Sequence, residues 1–525
     1  MTKARQQLTR FAAVFAGGTM LSRVLGMVRD MVLLNTIPSG AKEIFFFAFK
    51  IPNMLRDMLG EGAVNAAYVP LFSRCLEKEG EASFRRLVRA CLSATILLFL
   101  VLTVVGIFLV PLLLEPALKL LQPMTNAEPK SEGEIAQIIS VLRWIMPYLF
   151  FIGTAVFAMG PLFVMKRYGP PSWSPMVLNV ALIASCLLLR DFFPDPIWAL
   201  VAGVWLGGIG QLLVLFWAMK RHAGVLTPSW ELGHPGIRQA FILLIPVVFG
   251  QATGEVNKLV DALFAIQLNA VTTLYTANRL VQLPLSIFGI AVAVAILPSI
   301  SAAGGRGDYG EIRKTLLHGL RQSAFLVLPA LAVLLIMGEE LILLLFEFGN
   351  ANFTPEDGHR AAQALFYSGM GLLSFTWVKV GIQGFFAIQD TRSPVIVATL
   401  SMLLNIVLNM ALVGPMGFQG LALATTLSFT ANFFGLYVLL SRRYGLLLSR
   451  TFLLGVGKVI LATIVAGGAL VLVRNGFPDG LLPKGTVGEA LQLAMLLSVM
   501  GGVYGGCCLV LRVEDLALLK KLLRR

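Results

Sequence analysis

Leu92 to Leu114 reads LSATILLFLVLTVVGIFLVPLLL, 23 residues without a charge. A hydrocarbon core of roughly 30 Å takes about 20 apolar residues to cross as a helix, so this stretch is long enough to span a bilayer. Uncharged or nearly uncharged stretches of similar length recur on both sides of it. Across all 525 residues, 57% are hydrophobic and 13% charged, with a mean hydropathy of +0.81. That balance lies far from the soluble globular range, and no soluble domain of useful size remains. The fold expected is an all-α polytopic membrane protein.

Spans are expected to begin near Phe11, Glu43, Leu92, Ile138, Pro175, Ile197, Ala240, Tyr275, Ser323, Ala361, Pro394, Phe418, Phe452 and Gly488, about fourteen transmembrane helices. Met1 to Arg10 is basic, but the apolar run after it lacks a small-residue cleavage site and runs into Ser22, Arg23 and Arg29, so it reads as a retained first helix. The alternate connections that include the N-terminal tail carry 26 lysines and arginines and the opposite set 7. By the positive-inside rule both termini are then cytoplasmic. The same count accounts for the net charge of +14 without nucleic acid.

The chain also repeats weakly. Ser174-Pro175 and Ser393-Pro394 each open a span, 219 residues apart, while Pro70-Leu71-Phe72-Ser73 and Pro298-Ser299-Ile300-Ser301, 228 apart, each close one. Six helices separate the members of each pair, so the two halves keep one orientation and form parallel repeats. This divides the chain into a six-helix lobe over 1–222, a second over 223–444, and two extra C-terminal helices with a basic tail over 445–525. A binding site between the halves is expected.

Nine cations fall inside or near the ends of spans: Arg23, Arg29, Lys50, Arg56, Arg143, Lys258, Arg279, Lys379 and Lys458. A charge at mid-bilayer costs about 2.5 to 3.5 kcal/mol if it faces lipid, so Arg29, Arg56 and Arg279 must face water or a partner. Lys50, Asn53, Asp57 and Glu61 follow helical spacing and share a stripe, with Arg56 beside it. Internal pairing, Arg29 with Asp30 and Arg56 with Asp57 or Glu61, is the plainer account. Against the nine cations stand six carboxylates, Asp30, Glu43, Asp57, Glu61, Glu255 and Asp261, which leaves three positive charges. An anionic ligand would balance them, and the planar guanidinium fork suits phosphate.

Asp261, Asn405, Asn409 and Thr425 offer oxygen ligands that would suit a hard cation such as sodium. Ordinary interhelical hydrogen bonding explains the same residues. There is no GxxxxGK[ST] phosphate loop, the four histidines have no metal spacing, and five cysteines without CxxC spacing read as apolar filler. No cofactor is expected beyond that possible sodium ion. Arg512 to Arg525 reads either as a basic amphipathic helix on the membrane surface or as a solvated tail.

The run Ser22-Arg23-Val24-Leu25-Gly26-Met27-Val28-Arg29-Asp30, followed by Phe49-Lys50-Ile51-Pro52-Asn53-Met54-Leu55-Arg56 and Glu61-Gly62-Ala63, resembles the signature of MurJ/MviN-type lipid II flippases of the MOP exporter superfamily. The likeness continues through Asn278-Arg279-Leu280, through Gly384-Phe385-Phe386-Ala387 and Gln389-Asp390-Thr391-Arg392-Ser393-Pro394, and through Gly414-Pro415 with Gly420-Leu421-Ala422. The resemblance implies two lobes around a central cavity that opens alternately to each side. It implies translocation of an undecaprenyl-diphosphate-linked peptidoglycan precursor, lipid II, from the inner to the outer leaflet of the cell inner membrane. Arg23, Arg29, Arg56 and Arg279 match the family's cavity arginines, with Lys50 and Asn53 in the same motif. Glu43 stands where an aspartate is often found, and the last two helices would form a groove for the lipid tail. In family members proposed to hold sodium an aspartate stands where this chain has Asn409, a difference of one negative charge. Implied partners are lipid II, membrane lipids and other cell-wall synthesis proteins. The rivals are a cation-coupled drug or oligosaccharide-lipid exporter of the same superfamily, whose cavity for cationic drugs should be acidic, and a membrane glycan polymerase, which would need catalytic carboxylates at the outer face.

Overall fold

The computed structural model describes residues 3–61, 67–225, 227–347, 352–445, 449–476 and 485–516. Gly62 and Ala63 of the motif, the Glu61 side chain and the tail beyond residue 516 lie outside the described residues. All regular structure among the described residues is helical. The chain forms two compact units, Met1–Thr272 with Gly349–Phe353, and Thr273–Phe348 with Thr354–Arg525.

The first unit holds α1 (Lys3–Thr36), α2 (Ser39–Arg56) continuing into a π-helical turn (Asp57–Glu61), α3 (Val69–Thr125), and α4 (Glu132–Ile145), α5 (Pro147–Phe157) and α6 (Met159–Val164), which together make one span. It continues with α7 (Gly169–Leu188), α8 (Ile197–Ala223) and α9 (Pro235–Gln267). Ser131 and Glu134 start α4 with a reciprocal capping box. Packing joins α7 to both α1 and α8, and α5 to α3 and α8. The contact of α8 with α7 depends on small residues: a Cβ on Gly207 would come within 2.5 Å of Leu178 Cδ1 and 2.9 Å of its Cα. On α3, Leu97, Leu100, Val101, Val104, Phe108 and Leu112 are exposed, an apolar face fit for lipid tails.

α10 (Val271–Pro284) is followed by a π-helical turn (Leu285–Ile290) and α11 (Ala291–Gly305), which together form one span. The second unit continues with α12 (Tyr309–Ile336), the short α13 (Gly338–Phe346), the bent pair α14 (Pro355–Gly369) and α15 (Leu372–Phe386), then α16 (Arg392–Met416), α17 (Phe418–Tyr444), α18 (Arg450–Asn475) and α19 (Thr486–Val510). Its core gathers Ile296, Leu316, Leu320, Phe433, Leu436 and Val459, all under 9% exposed. α18 and α19 dock on α12. Arg321 pairs with Glu514 at 2.8 Å and Asp515 at 3.0 Å. Midway, the Tyr504 hydroxyl donates to the Phe325 carbonyl at 2.7 Å, and Arg474 donates to the Ile336 carbonyl at 2.9 Å and pairs with Glu340.

Among the described residues ten helices, or twelve with each bent pair taken as one span, are long and apolar enough to cross a membrane. α2 is an expected span that falls short. It carries Lys42, Glu43, Lys50 and Arg56, so the cations that mark it as functional also dilute its apolar signal, while the apolar part of α1 begins among side chains outside the described ones. α3 departs from the expectation by starting at Val69, well before Leu92, because the basic stretch ahead of the apolar run continues the helix. Its break is Gly80, at φ +82° and ψ −178°, a backbone conformation that favours glycine. Pro70 therefore lies in the first turn of α3, where its missing N–H costs nothing, instead of closing the helix before it. Pro298 likewise lies inside α11. The chain passes from the first compact unit to the second between Thr272 and Thr273, because α9 packs on α2 and α3, whereas the repeat-based lobe boundary at 222/223 is a matter of sequence and need not coincide with compactness.

Two side chains hold helix starts. Glu43, 8% exposed, accepts the backbone N–H of Val271 at 2.7 Å and of Thr272 at 2.9 Å. A carboxylate on two otherwise orphan N–H groups is a charged N-cap supplied by another helix. Asp390, in the connection before α16, accepts the backbone N–H groups of Arg392 and Ser393 and the Ser393 hydroxyl, and pairs with Arg443 at 2.6 Å. Burial pushes the Asp390 carboxyl up, but the Ser393 hydrogen bonds, the Arg443 guanidinium and the Arg392 amide outweigh it and hold the group below the ordinary carboxylate range.

A carboxyl with a lowered folded-state pKa contributes stability that is full above the ordinary value of about 3.9 and lost as pH falls through the lowered one. The stability difference between the wild type and Asp390→Ala, read by thermal melting, should therefore narrow as pH falls below about 4. Glu43→Ala should cost about 1 to 2 kcal/mol and raise amide hydrogen exchange at Val271 and Thr272, with Glu43→Gln intermediate. Arg321→Ala leaves Asp515 buried without its cation and should cost on the order of 3 kcal/mol, read as a lower melting temperature of the solubilised protein and faster proteolysis beyond α19.

Candidate functional site

In the first unit, α1, α2, α5, α7 and α8 enclose a cavity of about 180 Å³ lined by Arg29, Arg56, Asn179 and Gln211, with Ile152, Val156, Pro175 and Leu178 among its apolar walls. Arg29 comes from α1 and its side chain is 11% exposed; Asp30 beside it is fully buried. Arg29 Nε donates to Asp30 Oδ1 at 2.9 Å, while Nη1 donates to Asn179 Oδ1 at 3.1 Å. Asn179 in turn donates to the Ser22 carbonyl at 3.2 Å. The amide is thus a positioning residue that ties the guanidinium to α7 and orients it in the cavity.

Arg56 sits at the end of α2, where the helix widens into its π-turn, a local form that recurs at functional positions. Its Nε and Nη2 donate to Asp57 Oδ1 at 3.0 and 2.7 Å, and its side chain is 25% exposed. The buried hydroxyl of Tyr148 on α5 lies beside it. Both internal pairs anticipated from the sequence are therefore present, and both arginines still line one cavity. Guanidinium and carboxylate together tolerate burial better than a lone cation, and the donor-rich forks suit an anion held between helices.

The remaining expected residues fall into different surroundings. Arg23 is exposed on α1 and does not line this cavity. Asn53, one turn before Arg56, has a buried Oδ1 with no hydrogen-bond partner among the described residues. Lys50 has Asp261, Lys258 and Glu255 of α9 as its electrostatic neighbours. Glu43 caps α10 and lines a second cavity of about 320 Å³ with Lys130, Glu134, Gln137, Asp195 and Asn269. Arg279 belongs to the second unit, where its Nη2 donates to the Tyr275 hydroxyl at 2.6 Å and its guanidinium lies 5.0 Å from that ring's centre.

Of the expected sodium ligands, three share the second unit. Asn409 donates to Asn405 Oδ1 at 2.9 Å, and Asn405 donates to Ser428 at 3.3 Å and to Thr425 at 3.5 Å. The first bond lies within α16 and the two from Asn405 tie α16 to α17, the interhelical role that the sequence left open beside the cation. Asp261 lies in the first unit with Lys50 as its neighbour. Among the described residues, no group of three or more His, Cys, Asp or Glu could hold a metal ion. Asn179 and Gln211 were not singled out from the sequence. The available signal was faint: a neutral amide in each of two apolar spans, without the charge that marked the arginines.

A family model described as lipid II flippase MurJ matches residues 39–484 of this chain. A probable lipid II flippase MurJ of Vibrio cholerae serotype O1 is 32% identical over 519 residues, covering 97% of this chain and 98% of the relative. A lipid II flippase MurJ of Burkholderia cenocepacia is 29% identical over 443 residues, covering 83% and 84% of the two chains. Among solved structures, a lipid II flippase MurJ in an inward closed conformation matches with a TM-score of 0.76 at 20% identity, covering 97% of this chain and 99% of that one. An inward-facing multidrug resistance MATE family transporter of the MOP superfamily matches with a TM-score of 0.65 at 15% identity, covering 83% and 98%. With most of its length matched by the family model and nearly all of it by the Vibrio relative, the chain belongs to the lipid II flippase MurJ family.

Proposed function

We propose that this chain is a lipid II flippase that carries the diphosphate-linked peptidoglycan precursor across the cytoplasmic membrane by alternating access, with both termini in the cytoplasm. The observation that carries the reading is the cavity into which Arg29 and Arg56 project between apolar helices. A diphosphate presents several acceptor oxygens, and two forks from different helices can share them while the polyprenyl chain stays in lipid. The guanidinium groups sit beside their own carboxylates, which lowers the cost of keeping them buried when no substrate is bound. A ligand shifts a conformational equilibrium only by its differential affinity for the two states. Cations on separate helices that draw together on one diphosphate supply such a difference. The positive inner connections support the orientation.

Arg29→Ala and Arg56→Ala test the reading. Each removes a charged donor worth about 1.5 to 3 kcal/mol, so delivery of lipid II to the outer leaflet in a flippase-depleted bacterium should fall about 10- to 100-fold. Arg29→Lys should retain part of the activity. Undiminished delivery by either alanine variant, expressed at wild-type level, would overturn the proposal.

A further inference from the structure

Arg143 on α4 is an exposed cation inside a membrane span, and it forms no hydrogen bond, ion pair or ring contact among the described residues. Its depth can be read from the tryptophans around it. α8 carries Trp198 in its first turn and Trp217 near its end, nineteen residues apart, which is about 28 Å of helix and close to the roughly 30 Å of a hydrocarbon core. Trp217 is 60% exposed and stands just before Lys220 and Arg221. The two indoles thus mark the two interfaces, the level that tryptophan favours. Trp144, itself 54% exposed, packs on Trp198 and Trp205 with ring centres 6.5 and 6.1 Å apart, and its carbonyl accepts the Trp205 indole N–H at 2.7 Å. Arg143, its neighbour in sequence, therefore lies within about two turns of the interface where α8 begins. Exposed Leu206 and Leu213 on α8 give this surface the apolar character of one that meets lipid.

A guanidinium at that depth is unfavourable unless its charge is met. The carboxylates at this end of α4 are committed elsewhere. Glu134 belongs to the capping box that starts the helix, and Asp195 accepts the Gln137 amide at 2.7 Å and the Ile197 N–H at 2.9 Å. Glu132 is eleven residues away, about 16 Å along the helix and beyond the reach of one side chain. Direction supplies the rest. Cα–Cβ bonds tilt toward the start of a helix, and α4 starts at its watery end, where Glu132 and Glu134 are exposed. Arg143 is thus set to lean toward the headgroups from below, its stem along lipid and its charged end at the surface. Phosphate is the anion at that level, and a guanidinium fork can bind it with two parallel hydrogen bonds.

We propose that Arg143 is a binding site for the phosphate of a bilayer phospholipid, in the leaflet that meets the start of α4, at the depth set by Trp144, Trp198 and Trp205. The lipid supplies the counter-charge that the protein leaves open. It also ties the α4–α6 span to the membrane surface one turn ahead of Pro147, where α4 gives way to α5. Under the orientation proposed above this is the outer leaflet, while the site itself does not depend on the transport reading.

The test titrates the purified full-length protein in detergent with phosphatidylglycerol, or with a galactosyl diacylglycerol of the same chains, which lacks phosphate, and counts bound lipids by native mass spectrometry. Wild type and Arg143→Ala share each solution, so both meet the same free lipid. The variant should retain fewer phosphatidylglycerol molecules, with one site weakened about tenfold, the loss of a charged hydrogen bond, and should match wild type for the galactolipid. Arg143→Lys should recover part of the difference. Equal phosphatidylglycerol binding by Arg143→Ala and wild type would overturn the proposal and leave Arg143 reaching water alone. Equal loss of both lipids would overturn it as a packing effect. A loss confined to an added polyprenyl diphosphate would overturn it by making Arg143 part of the substrate's route. If Arg143→Ala does not fold, Arg143→Gln, which keeps the polar side chain without the charge, decides by the same readings.

Discussion

A guanidinium cannot enter hydrocarbon alone, and the contact between Arg29 and the fully buried Asp30 is what lets α1 carry one. Adjacent residues point in different directions around a helix, so the pair forms only because the long arginine side chain folds back over its neighbour's carboxylate. That leaves the far side of the fork for Asn179, and the amide binds α1 to α7. One side of helix α1 is thereby fixed against α7, while Leu21, Val24 and Val28 are exposed. The same arrangement recurs at Arg56 and Asp57 on α2, and one cavity receives both forks.

How much of this was legible in the sequence depends on what kind of signal each part leaves. Apolar runs near 20 residues announce spans by length alone, and α7, α8, α16 and α17 begin within a few residues of where the runs suggest. Hydropathy marks the part of a helix inside the membrane and is blind to a polar continuation, which is why α3 runs back to Val69 and why the short α13 went unseen. The arginines were conspicuous because a charge inside a span is costly. Asn179 and Gln211 are neutral, and nothing local separates an amide facing a cavity from one bonded to the next helix. Lys50 and Asp261 are 211 positions apart, and their proximity is a property of the packed helices that no spacing rule contains. The cation reading of Asn405 and Thr425 had the opposite difficulty, because residues that could ligate an ion can equally bind one another.

The cavity's character is set as much by residues without side chains as by its charges. Gly203 and Gly207 bring α8 against α7, and the pocket opens where that close contact ends. Larger residues at those positions would separate the two helices and widen the cavity into one that a water cluster could fill, with weaker fields around both arginines. The apolar walls from Ile152, Val156 and Leu178 keep the local dielectric low, so each donor exerts more force on a bound anion than it would in water.

The cap that Glu43 places on α10 bridges 228 residues, and this has a consequence for assembly. During synthesis the carboxylate emerges with the second helix, while the amides it will satisfy have not yet been translated. Until α3 to α9 have been threaded into the bilayer, Glu43 needs water or another donor at its end of the helix, and the start of α10 arrives without a cap of its own. Closure of this contact is therefore a late event, possible only once the whole of the first unit up to Val271 and Thr272 has been made.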